Sequence, residues 1–438
     1  MTRGKVFLLC FLLCGAVLLG GLFDSRPSMV NAAEITSDYQ ELQLFTDVLT
    51  IVRRSYVEEV SFKDLIYGAI DGMLLSLDPH SGFMPPDIYR EMKLDTRGQF
   101  GGLGVEITLR DGVLTVVAPI EGTPAARAGL APADRIVKIE GQLTKEMEVM
   151  GAVRMMRGEP GTSITITIMR ETFEKPKDFT LVREIIKVQS VKASLLEDGY
   201  GYVRLVQFQE SSASDLAKAL ERLHRESQSD LKGLVLDLRN NPGGLLDQAV
   251  EVVDLFLQEG QIVYTKGREL ESQMEFSAKA LGTEPDYPLV IMINGGSASA
   301  SEIVAGALQD HGRAVILGTQ SFGKGSVQTI IPLSDESGLR LTTARYYTPR
   351  GTSIQAKGIT PDIEVQPGEV KDVSPGHAVR ESDLPNHIDT EQAGEQGSDQ
   401  EDVETLVDAA LGNDYQLMRA LDLLKGWQVF QSMRRGAA

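Results

Sequence analysis

Three serines at alternate positions, Ser297, Ser299 and Ser301, follow an apolar run and a double glycine in the stretch from Val290 to Gln328. The run from Pro288 to Ile293 has strand character, Asn294-Gly295-Gly296 breaks it, and Ile303, Val304, Ala307 and Leu308 then recur at helical spacing. Strand, tight turn and helix put a serine hydroxyl beside the unpaired N–H groups of a helix N-terminus. There a nucleophile can generate an oxyanion and have it stabilised. All three serines qualify on these grounds. Further on, Lys324 stands between Gly323 and Gly325, next to Phe322. Burial in such surroundings lowers the pKa of an ammonium and yields a neutral amine, hence a base. Gln328 lies four residues later, and in an extended segment its amide faces the same way as the lysine and can orient it.

A hydroxyl nucleophile needs a base, and the usual one is histidine. The chain has five, at 80, 224, 311, 377 and 387. His377 and His387 fall in an acidic stretch, and His224 sits among Glu221, Arg222, Arg225 and Glu226 on an amphipathic helix. His311 ends the helix begun at Ser299, about twelve residues or roughly 18 Å away. His80, beside Ser81 after Leu77-Asp78-Pro79, reads as a histidine holding a loop, since adjacent side chains seldom point at one another. No H-E-x-x-H and no other dense ligand cluster argues for a metal, and no cofactor is called for. Lysine is what remains.

A second strand, glycine turn and helix should face the first. Lys232 to Leu238 is a continuous apolar strand that runs into Arg239-Asn240-Asn241-Pro242-Gly243-Gly244, with a helix through Leu257 after it. Two such turns can supply N–H donors to one pocket from opposite sides. Asp237 invites a charge-relay role, but a carboxylate at the end of an apolar strand is better read as tying Arg239 in place.

Ahead of this core the texture changes to short strands and glycine turns. Phe100-Gly101-Gly102-Leu103-Gly104, together with Gly129-Leu130 and Asp134-Arg135-Ile136, resembles a PDZ domain over about Arg97 to Arg183. Successive N–H groups in such a loop can hold the terminal carboxylate of a peptide, and the adjoining strand edge accepts the peptide as an added strand.

The whole motif set, Asn294 to Glu302, Phe322 to Gln328 and Asp237 to Gly244, resembles the C-terminal processing peptidases, or tail-specific proteases. The resemblance runs from about Leu42 to Pro367. That family places its nucleophile 25 residues before its lysine and its glutamine four after, which falls on Ser299 and Gln328. The resemblance implies a serine-lysine dyad of Ser299 and Lys324. It also implies an oxyanion hole made by the N–H of Ala300 and one from Gly243 or Gly244, and an acyl-enzyme route to peptide hydrolysis. The fold it implies is an α/β (α+β) multidomain chain, with a crotonase/ClpP-like protease core, an inserted PDZ domain and helical terminal segments. Substrates would be proteins or peptides with apolar C-termini. An inactive PDZ scaffold and a crotonase-like acyl or amide hydrolase are the competing functions, disfavoured by the intact Ser299, Lys324 and Gln328 set and by the PDZ insertion respectively.

Residues 1–33 read as a secretory signal, with Arg3 and Lys5, an apolar run from Val6 to Phe23 and a small-residue site at Val30-Asn31-Ala32. Retention as an anchor in the inner membrane is the alternative. Both cysteines, Cys10 and Cys14, lie inside that run, so removing it leaves no thiol for disulfides, nucleophiles or metals. Export without disulfides suggests a bacterial envelope protein in the periplasm or on the outer face of the cytoplasmic membrane. A formal charge of −19 without a basic patch excludes nucleic acid. A helical segment is expected over 34–96, the PDZ domain over 97–183 and the protease core over 184–367. An acidic linker over 368–402 and a C-terminal helical segment over 403–438 complete the chain. From Gln366 to Glu404 there are 11 acidic residues against Lys371 and Arg380. The terminal helical stripes, including Trp427, are packing or homo-oligomer faces.

Overall fold

The computed structural model describes residues 32–110, 112–145, 147–196, 199–227, 230–269, 273–368 and 413–436. The expected signal segment and acidic linker fall almost wholly outside these residues. The chain divides into two compact units between Leu77 and Asp78. The first holds helices α1 (Ala32–Ser55) and α2 (Phe62–Leu75). Leu42, Phe45 and Val48 on α1 are all exposed, an apolar stripe on a solvent-facing helix.

The second unit opens with strand β1 (Gly82–Met84), helix α3 (Pro86–Thr96) and β2 (Gln99–Gly102). Beyond β2 lie β3 (Val105–Arg110), β4 (Val113–Pro119), α4 (Pro124–Arg127), β5 (Arg135–Ile139), β6 (Gln142–Leu143), α5 (Val149–Met156), β7 (Ser163–Met169) and β8 (Lys177–Val182). Strands β3 to β8 form a six-stranded sheet with its own core of Leu114, Ile136, Ile139, Ile164, Ile166 and Ile168. The alternating Ile164, Ile166 and Ile168 point to one face of β7, as a strand period of two requires. This is the PDZ domain expected from the glycine turns. Strand β9 (Glu184–Lys187) returns to pair with β2, Gln99 opposite Lys187 and Gly102 opposite Glu184. Entry and exit of the insert thus lie side by side, the geometry in which a domain can be spliced into another.

The core follows as β10 (Val191–Leu195), β11 (Tyr200–Leu205), α6 (Ser212–Glu226), β12 (Gly233–Asp237), α7 (Leu246–Asp254), β13 (Gln261–Gly267), β14 (Glu275–Ser277), β15 (Leu289–Ile293), α8 (Ala300–Asp310), β16 (Val315–Gly318), β17 (Ser326–Pro332), β18 (Gly338–Tyr347) and β19 (Ile363–Glu364). Its main sheet has the order β10-β11-β12-β15-β16-β19, antiparallel only at β10. Parallel strands need covered faces, which is why β12 and β15 are buried throughout and, but for the terminal Asp237, carry no polar side chain. Leu234, Leu236, Ile291 and Ile293 face α6, α7 and α8, while the alternating Val235, Val290 and Met292 face Leu417, Ala420 and Leu424 of the C-terminal helix α9 (Tyr415–Gly436). A second, antiparallel sheet runs β1-β18-β13-β14 with β17 on β18. Within Ile354 to Val365, only Ile363–Glu364 form a strand. The preceding residues instead fold back on the lysine loop, where Ala356 N–H donates to the Gly323 carbonyl and Ser321 N–H to the Ile359 carbonyl.

Asp237 ends β12 fully buried. It accepts from Arg239 Nε (2.9 Å) and Nη2 (2.8 Å) and from the Tyr202 hydroxyl (2.9 Å). Arg239 also donates to Asp414 at 3.0 and 2.6 Å and to Gln416 at 2.9 Å, just before and within α9. Arg239 is thus the tie between the second glycine turn and the C-terminal helix, as its place beside Asp237 suggested. Losing one partner strands a buried charge, which typically costs about 3–5 kcal/mol. Arg239→Met should therefore lower the unfolding free energy on that scale in denaturant titrations. Asp414→Asn should cost less, because Asp414 is partly exposed.

Candidate active site

The turn between β15 and α8 fixes the three serines differently. Ser297 Oγ donates to the Leu238 carbonyl (2.8 Å) and accepts from the Asn294 N–H (3.0 Å), while Ser301 Oγ donates to the Asn241 carbonyl (3.0 Å). Both serines are fully buried and join the two glycine turns. Ser299 sits at φ 57°, ψ −111°, a conformation that costs a non-glycine residue free energy of order 1–3 kcal/mol. Its hydroxyl meets the phenol of Tyr346. Burial pushes that phenol up to about 12, and the bond from Ser299 moderates the rise.

What holds the strained turn is Glu302, one turn into α8 and fully buried. Its Oε2 accepts from the N–H of Ser299 (2.7 Å) and of Lys324 (2.9 Å). Its Oε1 accepts from the N–H of Gly323 (2.6 Å) and from Ser321 Oγ (2.6 Å). One carboxylate therefore joins the main chain of the serine turn to that of the lysine loop. Lys324 is half-buried, and its ammonium is held below the ordinary lysine range by desolvation and then by the charge of Arg340, against the opposing pull of Glu302. Among the described residues, no hydrogen bond joins Ser299 Oγ to Lys324 Nζ.

His224 bonds Glu284 (2.8 Å) and His311 bonds the Gln261 carbonyl (2.7 Å), so neither serves the site. His80 does hold a loop, its N–H donating to Asp78 (2.8 Å) and its carbonyl accepting from Arg340 (2.8 Å). Its ring also lies close enough to Lys324 to be affected. Burial, then the lysine charge and that of Arg340, lowers the pKa of the imidazole, while Asp78 pulls the other way. Adjacency in sequence gave no sign of this proximity, which arises because β1 pairs with β18.

Opposite Ser299 lies Gly243, at φ 100°. A Cβ there would come within 2.8 Å of the Ser299 Cβ and 3.0 Å of the Ala300 nitrogen, so only glycine permits the approach. The Gly243 N–H donates to Asn241 Oδ1 (2.9 Å). Neither the Gly244 N–H nor the Ala300 N–H has a partner among the described residues. Gln328 donates from Nε2 to Thr342 Oγ1 (2.8 Å), and its Oε1 is buried without a partner among the described residues.

In the PDZ domain, Phe100, Gly101 and Gly102 belong to β2 and pair with β9 rather than forming an open loop. Leu103 is buried in the PDZ core, and Gly104, at φ 71°, packs against Thr123. A small apolar cavity between β3 and α5 is lined by Phe100, Gly102, Leu103, Gly104, Val105, Ile107, Val153 and Met156, with the Arg157 guanidinium 4.7 Å over the Phe100 ring.

A PDZ domain inserted through the β2–β9 pair ahead of an α/β core that carries a serine on a helix N-terminus points to a class of serine peptidase. Residues 199–365 match the peptidase family S41 model, 115–170 a PDZ domain model and 24–87 the model of the activating protease CtpB N-terminal domain. The chain belongs to the carboxy-terminal-processing protease family. It is 49% identical to the carboxy-terminal-processing protease of Bartonella bacilliformis over 93% of this chain and 95% of that protein. It is 38% identical to the carboxyl-terminal-processing protease of a Synechocystis species over 72% and 75%. Among solved structures, the photosystem II D1 C-terminal processing protease is similar at 30% identity, covering 74% of this chain and 93% of that one, with a TM-score of 0.44. The protein is thus a serine peptidase with a PDZ domain, acting on protein or peptide substrates.

Glu302→Gln would turn an amide N–H toward a main-chain N–H, whichever way the amide is placed. An unsatisfied buried polar group costs about 1–3 kcal/mol. The expected result is a loss of that order in denaturant unfolding, with kcat falling more than KM rises, because both halves of the site lose their common anchor.

Proposed function

We propose that Ser299 is the nucleophile, Lys324 its general base and Gln328 the residue that orients the lysine. The N–H groups of Ala300 and Gly244 would form the oxyanion hole. The observation that carries this reading is the pairing of a strained, helix-capping Ser299 with a desolvated Lys324 through the single carboxylate of Glu302. Gly244 is preferred to Gly243 because the N–H of Gly243 is already spent on Asn241. In the reaction Ser299 gives up its bond to Tyr346 and transfers its proton to neutral Lys324. Oγ attacks the peptide carbonyl, and the two N–H groups stabilise the tetrahedral oxyanion. Lys324, neutral again once it has protonated the leaving amine, takes a proton from water, which hydrolyses the acyl-enzyme. Catalytic contacts commonly tighten only with substrate bound, which accommodates the open Ser299 to Lys324 geometry.

A positioned base contributes roughly 10²- to 10⁴-fold and an oxyanion donor roughly 10²- to 10³-fold. Ser299→Ala and Lys324→Ala should therefore each remove turnover of a peptide substrate while the fold persists. Near wild-type proteolysis by Lys324→Ala would sink the dyad.

The base must be neutral, so kcat/KM should rise with pH through a pKa below that of free lysine, about 10.4. A His80→Asn variant, lacking the other titratable ring beside the lysine, should keep this limb. The same depressed pKa has a stability consequence. The folded state binds the lysine proton less tightly than the unfolded chain does. The penalty is therefore present in full below the folded pKa and disappears as pH rises past the unfolded value. Lys324→Met should accordingly raise the thermal midpoint near neutral pH, and the gain should fade as the pH approaches that of free lysine.

The cavity between β3 and α5 supports a PDZ groove at Phe100 to Gly104 for apolar substrate C-termini. Cleavage of a peptide with a free apolar C-terminus, compared with its C-terminally amidated twin, tests this; equal rates would argue against it. The basic and apolar N-terminal sequence supports export to the periplasm, with the segment either cleaved or kept as a membrane tether. No helix among the described residues is long and apolar enough to cross a membrane. The exposed Leu42, Phe45 and Val48 on α1, and Trp427 and Phe430 on α9, support a homo-oligomer built through terminal helices. A monomeric sedimentation coefficient at micromolar concentration would remove that part of the reading.

A further inference from the structure

Gln328 poses a problem that its own strand does not solve. An amide can present either its oxygen or its nitrogen to Lys324, and only the oxygen accepts an N–H from the amine and leaves the lone pair of that amine directed at Ser299. We infer that Asp78 and Thr342 settle the choice: they form a positioning relay that locks the Gln328 amide with its oxygen toward the catalytic lysine.

The direction follows from counting protons. Asp78 lies in the turn before β1. Its Oδ1 accepts from the N–H of His80 (2.8 Å) and of Ser81 (2.9 Å) and from Thr342 Oγ1 (3.1 Å), and its Oδ2 accepts from Ser81 Oγ (2.8 Å). Burial opposes ionisation of this carboxyl. The bonds from Ser81, His80 and Thr342 outweigh it and hold the group below the usual carboxylate range. An ionised carboxylate only accepts, so the single hydroxyl proton of Thr342 is committed to Asp78 and that of Ser81 likewise. Thr342 Oγ1 can then only accept from Gln328, at 2.8 Å, which requires the NH₂ of the amide to point at Thr342. The carbonyl oxygen is left over, and it is the buried acceptor without a partner among the described residues.

Strand geometry serves the same end. The β17–β18 register skips Thr343, so Gln328 lies opposite Thr342 while Val327 lies opposite Ala344. Such a bulge re-aims side chains next to active sites. Thr342 N–H donates to Ser81 Oγ (3.2 Å), and Gly82 pairs with Arg340, so the Asp78 turn is stitched to the very strand that carries the threonine. The groups that face Lys324 from the neighbouring segments are His80, Arg340 and Glu302, and the relay leaves all three in place.

This inference rests on the Ser299 and Lys324 dyad, and one experiment keeps the two apart. Thr342→Val removes the hydroxyl at nearly constant volume and frees the amide to turn its NH₂ onto the amine. Misplacing a catalytic group by about 1 Å can cost about 10²-fold, so kcat should fall by up to that factor with KM little changed. The acid limb of kcat/KM should also move to lower pH, because an N–H facing the amine disfavours the ammonium. Thr342→Ser should recover most of the rate. In a Gln328→Ala background Thr342→Val should produce no further loss, since the two residues act as one unit. A wild-type rate, an unmoved limb or an additive loss in the double variant would overturn the relay, whereas the dyad fails only if Lys324→Ala stays active. Thermal midpoints report folding, and if Thr342→Val does not fold, Thr342→Ala carries the same comparison.

Discussion

The buried carboxylate of Glu302 is the interaction on which the site depends. It stands in the first turn of α8, where the helix dipole favours a negative charge, and it accepts four hydrogen bonds from two separate segments. A buried ion without an opposite charge is costly unless its lone pairs are filled, and here neutral donors fill them. In return, the main chain of Ser299 and that of Lys324 are referred to the same two oxygen atoms. Their separation is then set by hydrogen-bond lengths rather than by the packing of a loop.

The rest of the core frames that anchor. The parallel strands β12 and β15 end side by side, so their two glycine turns meet, and Ser297, Ser301 and Asn241 bridge them. Gly243 can then approach Ser299 closely because it lacks a Cβ. Behind the turns, Arg239 draws in Asp414 and with it α9, so the chain beyond the acidic stretch returns to cover the second face of the sheet. The PDZ insert enters and leaves through one strand pair, β2 with β9, and leaves the order of the core sheet intact.

Several groups at the site are held in states that folding alone would not select. Ser299 has a strained backbone, Lys324 is partly desolvated, and the Gln328 oxygen is buried without a partner among the described residues. Each costs stability, and each fits the role proposed for it: a nucleophile, a neutral amine and an acceptor waiting for a donor. Such costs persist where the surroundings over-determine the conformation, as Glu302 and the β17–β18 pairing do here.

Local pattern fixed much of this protein. Apolar runs of strand length closed by double glycines foretold both turns, the glycine spacing with the Gly129-Leu130 and Asp134 to Ile136 segments resembled a PDZ domain, and the resemblance of the motif set pointed to the peptidase family. The pairing of Asp237 with Arg239 was also legible, because the two residues are neighbours in the chain. Other features depend on contacts between residues far apart in sequence, which carry no local period. Ser297, Ser299 and Ser301 are equivalent in the residue pattern, and only the folded turn assigns two of them to structure. Glu302 reads as an ordinary N-terminal helix acid until the lysine loop folds onto it. Ile354 to Val365 has a strand composition, yet most of it gives up sheet pairing to brace that loop. Asp78 and His80 reach the site only because β1 joins β18 some 260 residues later. Sequence determined the parts and their chemistry, while the tertiary structure decided which two hydroxyls tie the glycine turns together and which distant groups surround the third.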